Sequence, residues 1–162
     1  MSGAHVIAFG AVSALGSGDD AVSVGAMGRP ASVAIERDPA FERAGLLKPI
    51  SARAPRVEDG RDPATALLSA ALEQCLSRLE PGWRAKRIGL AIGTSSEAMA
   101  TSERFFASLG AGHRITTEVA RGATYFAPLE GVAPANGSPF SPRVLVLGAC
   151  ASSTLAIGIA LR

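Results

Sequence analysis

Three short apolar runs, each closed by glycine, punctuate the chain. They are His5-Val6-Ile7-Ala8-Phe9-Gly10, Arg87-Ile88-Gly89-Leu90-Ala91-Ile92-Gly93 and Arg143-Val144-Leu145-Val146-Leu147-Gly148. Nearly continuous apolar character over so few positions predicts strands buried on both faces, as in a parallel sheet. Between and after them the period changes. Asp62-Pro63 places a capping Asp before a proline at the first helical position, which predicts a helix start. Leu67, Leu68, Ala71, Leu72, Cys75, Leu76 and Leu79 then recur at helical spacing, and Pro81-Gly82 closes the run. A second helix is expected from Glu97 to about Leu109, carrying Met99, Phe105 and Phe106. A third is expected from Ala151 to Arg162, and a short one from Asp19-Asp20 to about Met27, ending at Gly28.

Residues 31–60 and 110–142 show no clean period and hold scattered prolines, so both read as irregular excursions. Strands alternating with helices imply an α/β fold with a mainly parallel sheet. Ligands in such sheets sit beyond the carboxyl ends of the strands. Gly10, Gly93 and Gly148 mark those ends, so their turns are expected on one side. The segments 87–96 and 143–153 echo each other: an apolar strand, a glycine, small hydroxyl residues, then a helix.

Composition narrows the class. The chain has 162 residues, of which 48% are hydrophobic and 19% charged, enough apolar material for one domain over residues 1–162 with a packed core. The formal net charge of +2, with no block of like charge, gives no footprint for nucleic acid. All the basic residues except Lys48 and Lys86 are Arg, which supplies forks for carboxylate or phosphate. The first residues lack a basic signal-peptide region, and no apolar run reaches the roughly 18 residues of a membrane span. Two distant cysteines, Cys75 and Cys150, make no disulfide framework. These features lead to the expectation of a cytoplasmic protein. With His5 and His113 the only histidines, no metal-ligand spacing exists. Gly16-Ser17-Gly18 lacks the third glycine of a dinucleotide fingerprint and the Lys of a phosphate loop.

Cys150 carries the chemistry. It follows a buried strand and precedes a helix, so unpaired N–H groups and the positive end of the helix dipole face it. The thiolate is the nucleophilic form of cysteine, and the N–H groups of Cys150 and Ala151 are placed to support an oxyanion after acylation. Gly148, Ala149, Ala151, Ser152 and Ser153 are small enough for a sharp turn. The competing reading is a buried, inert cysteine. Cys75, on the apolar face of its helix, reads as core. The helix after Cys150 is apolar all round, from Leu155 to Leu161. A helix of that kind is covered on every side. Three strands cover one side, so another chain, a second copy or further sequence is expected on the other, unless 110–142 fold back over it.

Gly148-Ala149-Cys150-Ala151-Ser152-Ser153-Thr154-Leu155-Ala156-Ile157-Gly158-Ile159-Ala160 resembles the active-site segment of the β-ketoacyl synthases, the condensing enzymes of fatty-acid and polyketide synthesis. Residues 6–16 resemble that family's opening strand and its Val-Ser-x-Leu-Gly turn. Val24 to Arg29 resembles the following helix end, and Arg87 to Gly93 the strand before its Gly-Thr or Gly-Ser turn. The resemblance covers residues 6–29, 87–96 and 143–161 and implies a thiolase-like half-fold with a buried nucleophile helix. It implies that Cys150 accepts an acyl group from the phosphopantetheine arm of an acyl carrier protein, with no cofactor bound by the chain itself. Decarboxylative Claisen condensation with a second unit would follow. Three departures stand out. Residues 110–142 are shorter than the family's stretch, Leu147-Gly148-Ala149 replaces the usual Thr-Ala before the cysteine, and the half bearing two catalytic His and a Lys is absent. Those groups would come from a second chain or a missing C-terminal half, and a dimer is a further expectation. The alternative function is a non-catalytic ketosynthase-like subunit that pairs with a complete synthase. A small Cys hydrolase fits less well, because the second Gly of the Gly-x-nucleophile-x-Gly turn is replaced by Ser152 and no His follows the Cys.

Overall fold

The computed structural model describes residues 4–22, 35–54, 62–96, 98–135 and 140–162. It is a mixed α/β chain that divides into two compact units. One contains residues 1–7, 58–69 and 79–162, and the other residues 8–57 and 70–78.

The first unit is organised around two parallel strands, β5 (Leu90–Thr94) and β6 (Arg143–Leu147). Their register runs from Leu90 opposite Arg143 to Thr94 opposite Leu147, so both carboxyl ends lie at one edge. Two bonds extend the ladder backwards: Ser141 N–H donates to the Ile88 carbonyl at 2.9 Å, and Leu90 N–H to the Pro142 carbonyl at 2.9 Å. Helix α6 (Ser152–Ala160) packs on this pair. Ile92, Ala98, Leu129, Val132, Phe140 and Ala156 are buried here, as are Ala66 and Trp83. Helices α3 (Met99–Gly110), α4 (Thr117–Gly122) and α5 (Ala127–Ala135) link the strands. Thr116 caps α4 by accepting from the Val119 N–H, and Ser102 Oγ donates to the Ala123 carbonyl at 3.0 Å, tying α3 to the end of α4. Thus 110–142, expected to be irregular, carries two helices, α4 and α5. Pro128 hides α5 from a period search, yet it sits in the first turn, where its missing N–H costs nothing.

The second unit holds two antiparallel pairs. Val12–Ser13 (β1) pairs with Gly16–Ser17 (β2), and Ile35–Arg37 (β3) with Ile50–Ala52 (β4). Between β3 and β4, Asp38 caps the short helix α1 (Pro39–Arg43) by accepting from the Ala40 N–H at 2.9 Å. Asp38 is buried, and its other oxygen accepts from Ser51 at 2.9 Å and from Arg53. The excursion expected at 30–60 is therefore locally ordered over 35–54. Helix α2 (Pro63–Ser77), counted to the first unit up to Ser69 and to the second from Ala70, starts at the Asp62-Pro63 signal, with Asp62 accepting from the Ala64 N–H at 3.0 Å. Its deepest side chains are Thr65, Ala66 and Ser69 rather than the leucine stripe. Small residues permit close approach: a Cβ on Gly10 would lie 1.9 Å from the Ala71 carbonyl oxygen. Cys75, expected in the core, is half-buried.

Two expectations change. The first apolar run forms no strand: residues 5–10 lack an assigned ladder, and Val6 and Ile7 are 89% and 82% exposed. An extended segment becomes a strand only where a neighbour takes its backbone hydrogen bonds, and no described residue does so. Among the described residues, the mainly parallel sheet expected is instead one parallel pair in the first unit and two antiparallel pairs in the second. The helix expected from Asp19 falls mostly outside the described residues, and Asp19–Val22 form turns. Val24–Arg29 and Glu97 also lie outside them. No helix among the described residues is long and apolar enough to cross a membrane.

Candidate active site

The turn between β6 and α6 is built around Ser152. Its side chain is buried, with 3% of the residue exposed. The hydroxyl oxygen accepts from the Gly148 N–H at 2.9 Å. Its proton lies within reach of two carbonyls, Thr94 at 2.8 Å and Ala149 at 2.7 Å, and serves one at a time. One side chain thus joins the end of β6, the turn and the end of β5. Glycine at position 93 makes this possible. A Cβ there would lie 2.4 Å from the Ser152 carbonyl oxygen and 2.7 Å from the Ser153 nitrogen, so β5 and the start of α6 meet backbone to backbone. The expected common edge for Gly93 and Gly148 is present; Gly10 belongs to the other unit.

Within the turn, Ala149 has φ 47°, the left-handed region that a residue with a Cβ rarely occupies. A short 3-10 turn over Ala149–Ala151 leads into α6. Cys150 lies at its apex with an exposed side chain, so the buried-and-inert reading does not describe it. Of the two N–H groups expected to support an oxyanion, that of Ala151 donates to the Gly148 carbonyl at 3.0 Å. No described residue accepts from the Cys150 N–H.

Helix α6, expected to be a buried nucleophile helix, is not buried. Only Ser152 and Ala156 face inward; Leu155, Ile157, Ile159 and Leu161 are all at least 44% exposed. The cause is geometric, since a two-stranded sheet covers one side of the helix and α5 packs on β6 instead. Among the described residues, no hydrogen bond joins either histidine to the thiol. His5 and His113 are both exposed. The His113 N–H donates to the Ser108 carbonyl at 3.0 Å, closing the end of α3 after Gly110-Ala111-Gly112. Among the described residues, no group of three His, Cys, Asp or Glu side chains is placed to hold a metal ion.

Sequence reasoning treated Ser152 as a small neighbour and missed its role as the buried tie. The signal was the repeated strand-Gly-hydroxyl pattern of 87–96 and 143–153. Two such turns side by side need one hydroxyl to satisfy the backbone groups trapped between them. No family of known proteins, no curated protein and no solved structure matches the chain.

Proposed function

We propose that the chain is the nucleophile-bearing part of a β-ketoacyl-[acyl carrier protein] synthase with a thiolase-like architecture. The observation that carries the reading is Cys150 itself: an exposed thiol at a strained strand–turn–helix apex, its own N–H without an acceptor among the described residues. The resemblance of 148–160 to the condensing-enzyme segment supplies the substrate class. In the first step Cys150 Sγ, as thiolate, attacks the carbonyl of a phosphopantetheine thioester. The new C–S bond forms, the old one breaks, and the departing thiolate takes up the proton that Cys150 lost. The Cys150 N–H faces the developing oxyanion. A second acyl unit then loses CO₂, and its carbanion displaces Cys150 from the acyl carbon. The groups that handle protons in this second half would come from a second chain or a further segment, because no described hydrogen bond joins His5 or His113 to Cys150. The same cover would sit on Leu155, Ile157, Ile159 and Leu161. That exposed face equally favours the non-catalytic pairing subunit. Full condensing activity of a Cys150→Ala complex would select that alternative.

The direct test is acylation. The chain is incubated with an acyl-N-acetylcysteamine thioester, a mimic of the pantetheine arm, and the adduct is located by peptide mass spectrometry. Acyl mass should accumulate on Cys150 at least about tenfold faster than on Cys75 and vanish in Cys150→Ala. Equal acylation of the two cysteines, or none on Cys150 while iodoacetamide labels it, refutes the assignment.

A further inference from the structure

A cleft of about 640 Å³ opens in the first unit, lined from α2, α3, α4 and α5 and without Cys150 in its wall. That volume suits a small organic molecule. Its polar wall is organised. Asp62 Oδ1 is held by the Ala64 N–H, and Asp62 Oδ2 accepts from Thr101 Oγ1 at 2.7 Å. Thr101 Oγ1 in turn accepts from Arg104 Nη2 at 3.1 Å, while Arg104 Nε donates to the Ala100 carbonyl at 3.2 Å. These bonds fix the guanidinium plane and leave its Nη1 hydrogens and one on Nη2 as a fork. Glu118, from the first turn of α4, lines the same cleft and makes no ion pair with any described residue. The apolar wall is Phe105, whose ring is set edge-on to Phe106 at 5.1 Å, together with Val119. At Gly131 the wall is bare backbone. A Cβ there would come within 2.8 Å of the Thr65 methyl, so α5 and α2 approach closely at this point of the wall.

We infer that this cleft binds a small zwitterion with an aromatic or branched apolar body, its carboxylate on Arg104 and its ammonium on Glu118. A simple anion would meet the Asp62 and Glu118 carboxylates, and a simple cation the Arg104 guanidinium, whereas Asp62 already accepts from Thr101 and the Ala64 N–H. Only a molecule carrying both charges satisfies both, and the Phe105 and Val119 surfaces take its apolar part. Two sources share this chemistry: a free amino acid, with its charges on one carbon, and a dipeptide, with them apart. The site is independent of the acyl-transfer reading, since Cys150 takes no part in it.

The test uses the full chain and amide chemical shifts. Phenylalanine and phenylalanyl-leucine are titrated, with phenylalaninamide, N-acetylphenylalanine and neutral N-acetylphenylalaninamide as charge-deleted probes. At least one zwitterion should saturate shifts at Thr101, Glu118 and Gly131, and the tighter of the two identifies the source. Each deleted charge should weaken binding about fivefold, the upper end for exposed pairs. Arg104→Gln should weaken the carboxylate-bearing probes and spare phenylalaninamide; Glu118→Gln should weaken the ammonium-bearing probes and spare N-acetylphenylalanine. Absence of saturable shifts, equal affinity for charged and neutral probes, or variants that lower all probes alike overturns the proposal. The probe series on the unaltered chain decides the matter even where a variant fails to fold.

Discussion

Replacing Ser152 with alanine removes one oxygen and leaves the backbone in place. The hydroxyl is buried and accepts from Gly148 while donating to the Thr94 or Ala149 carbonyl. Its loss takes the acceptor from the Gly148 N–H, while the Ala149 carbonyl keeps the Ser152 N–H. A buried polar group left without a partner costs about 1–3 kcal/mol, so stability should fall by about that amount. At roughly 2–4 °C per kcal/mol for a chain of this size, Tm should fall by about 2–12 °C. Urea unfolding should show a lower midpoint at unchanged slope, because the area exposed on unfolding is the same. The second readout is Cys150. With Gly148 untied, the apex at Ala149 is free to leave φ 47°, so acylation of Cys150 by the thioester should fall while iodoacetamide labelling persists. A stability loss under about 0.5 kcal/mol, the range of ordinary surface substitutions, together with unchanged acylation, would show that Ser152 does not organise the turn.

Gly93→Ala should be more damaging than Ser152→Ala, since its Cβ meets backbone rather than a side chain that can swing away. A loss above about 3 kcal/mol in urea unfolding, or failure to fold, is expected. At position 149, glycine should be neutral or stabilising by up to about 1 kcal/mol, and valine should cost at least about 1 kcal/mol, as thermal unfolding of the pair would report. Acid should weaken the second unit through Asp38. Its hydrogen bond from Arg53 holds its carboxyl below the ordinary 3.8, helped by Ser51 and the Ala40 N–H and opposed by burial. A depressed carboxyl contributes stability above its unfolded value, and that contribution disappears as pH falls through the folded one. The stability gap between the native chain and Asp38→Asn should therefore be widest near neutrality and close below pH about 4; a gap constant with pH would remove Asp38 as its source.

Much of the local structure was legible in the sequence because short-range chemistry enforces it. Asp62-Pro63 starts α2 where a carboxylate and a ring without an N–H suit a helix end. Arg143–Leu147 is a strand because its apolar run is bounded by Pro142 and Gly148. The turn that exposes Cys150 was legible because a sharp turn needs small neighbours, and small neighbours are visible. By contrast, His5–Gly10 has the same apolar look and no ladder. Its fate depended on a pairing partner far along the chain, which no local pattern encodes. Helices α4 and α5 were missed for the opposite reason: a cap at Thr116 and a proline tolerated in a first turn override a weak period.

The amino-acid order by itself settled which residues start and stop helices, where a thiol meets a glycine-bounded turn, and that α6 carries no polar face. Only the folded chain decided that β5 and β6 run side by side, that one hydroxyl from Ser152 serves both of their ends, and that Arg104 and Glu118 share a cleft. The physical reason is range. Capping and backbone sterics act within a few residues, whereas a strand pair or a charge pair across a cleft is fixed by contacts between segments widely separated in sequence.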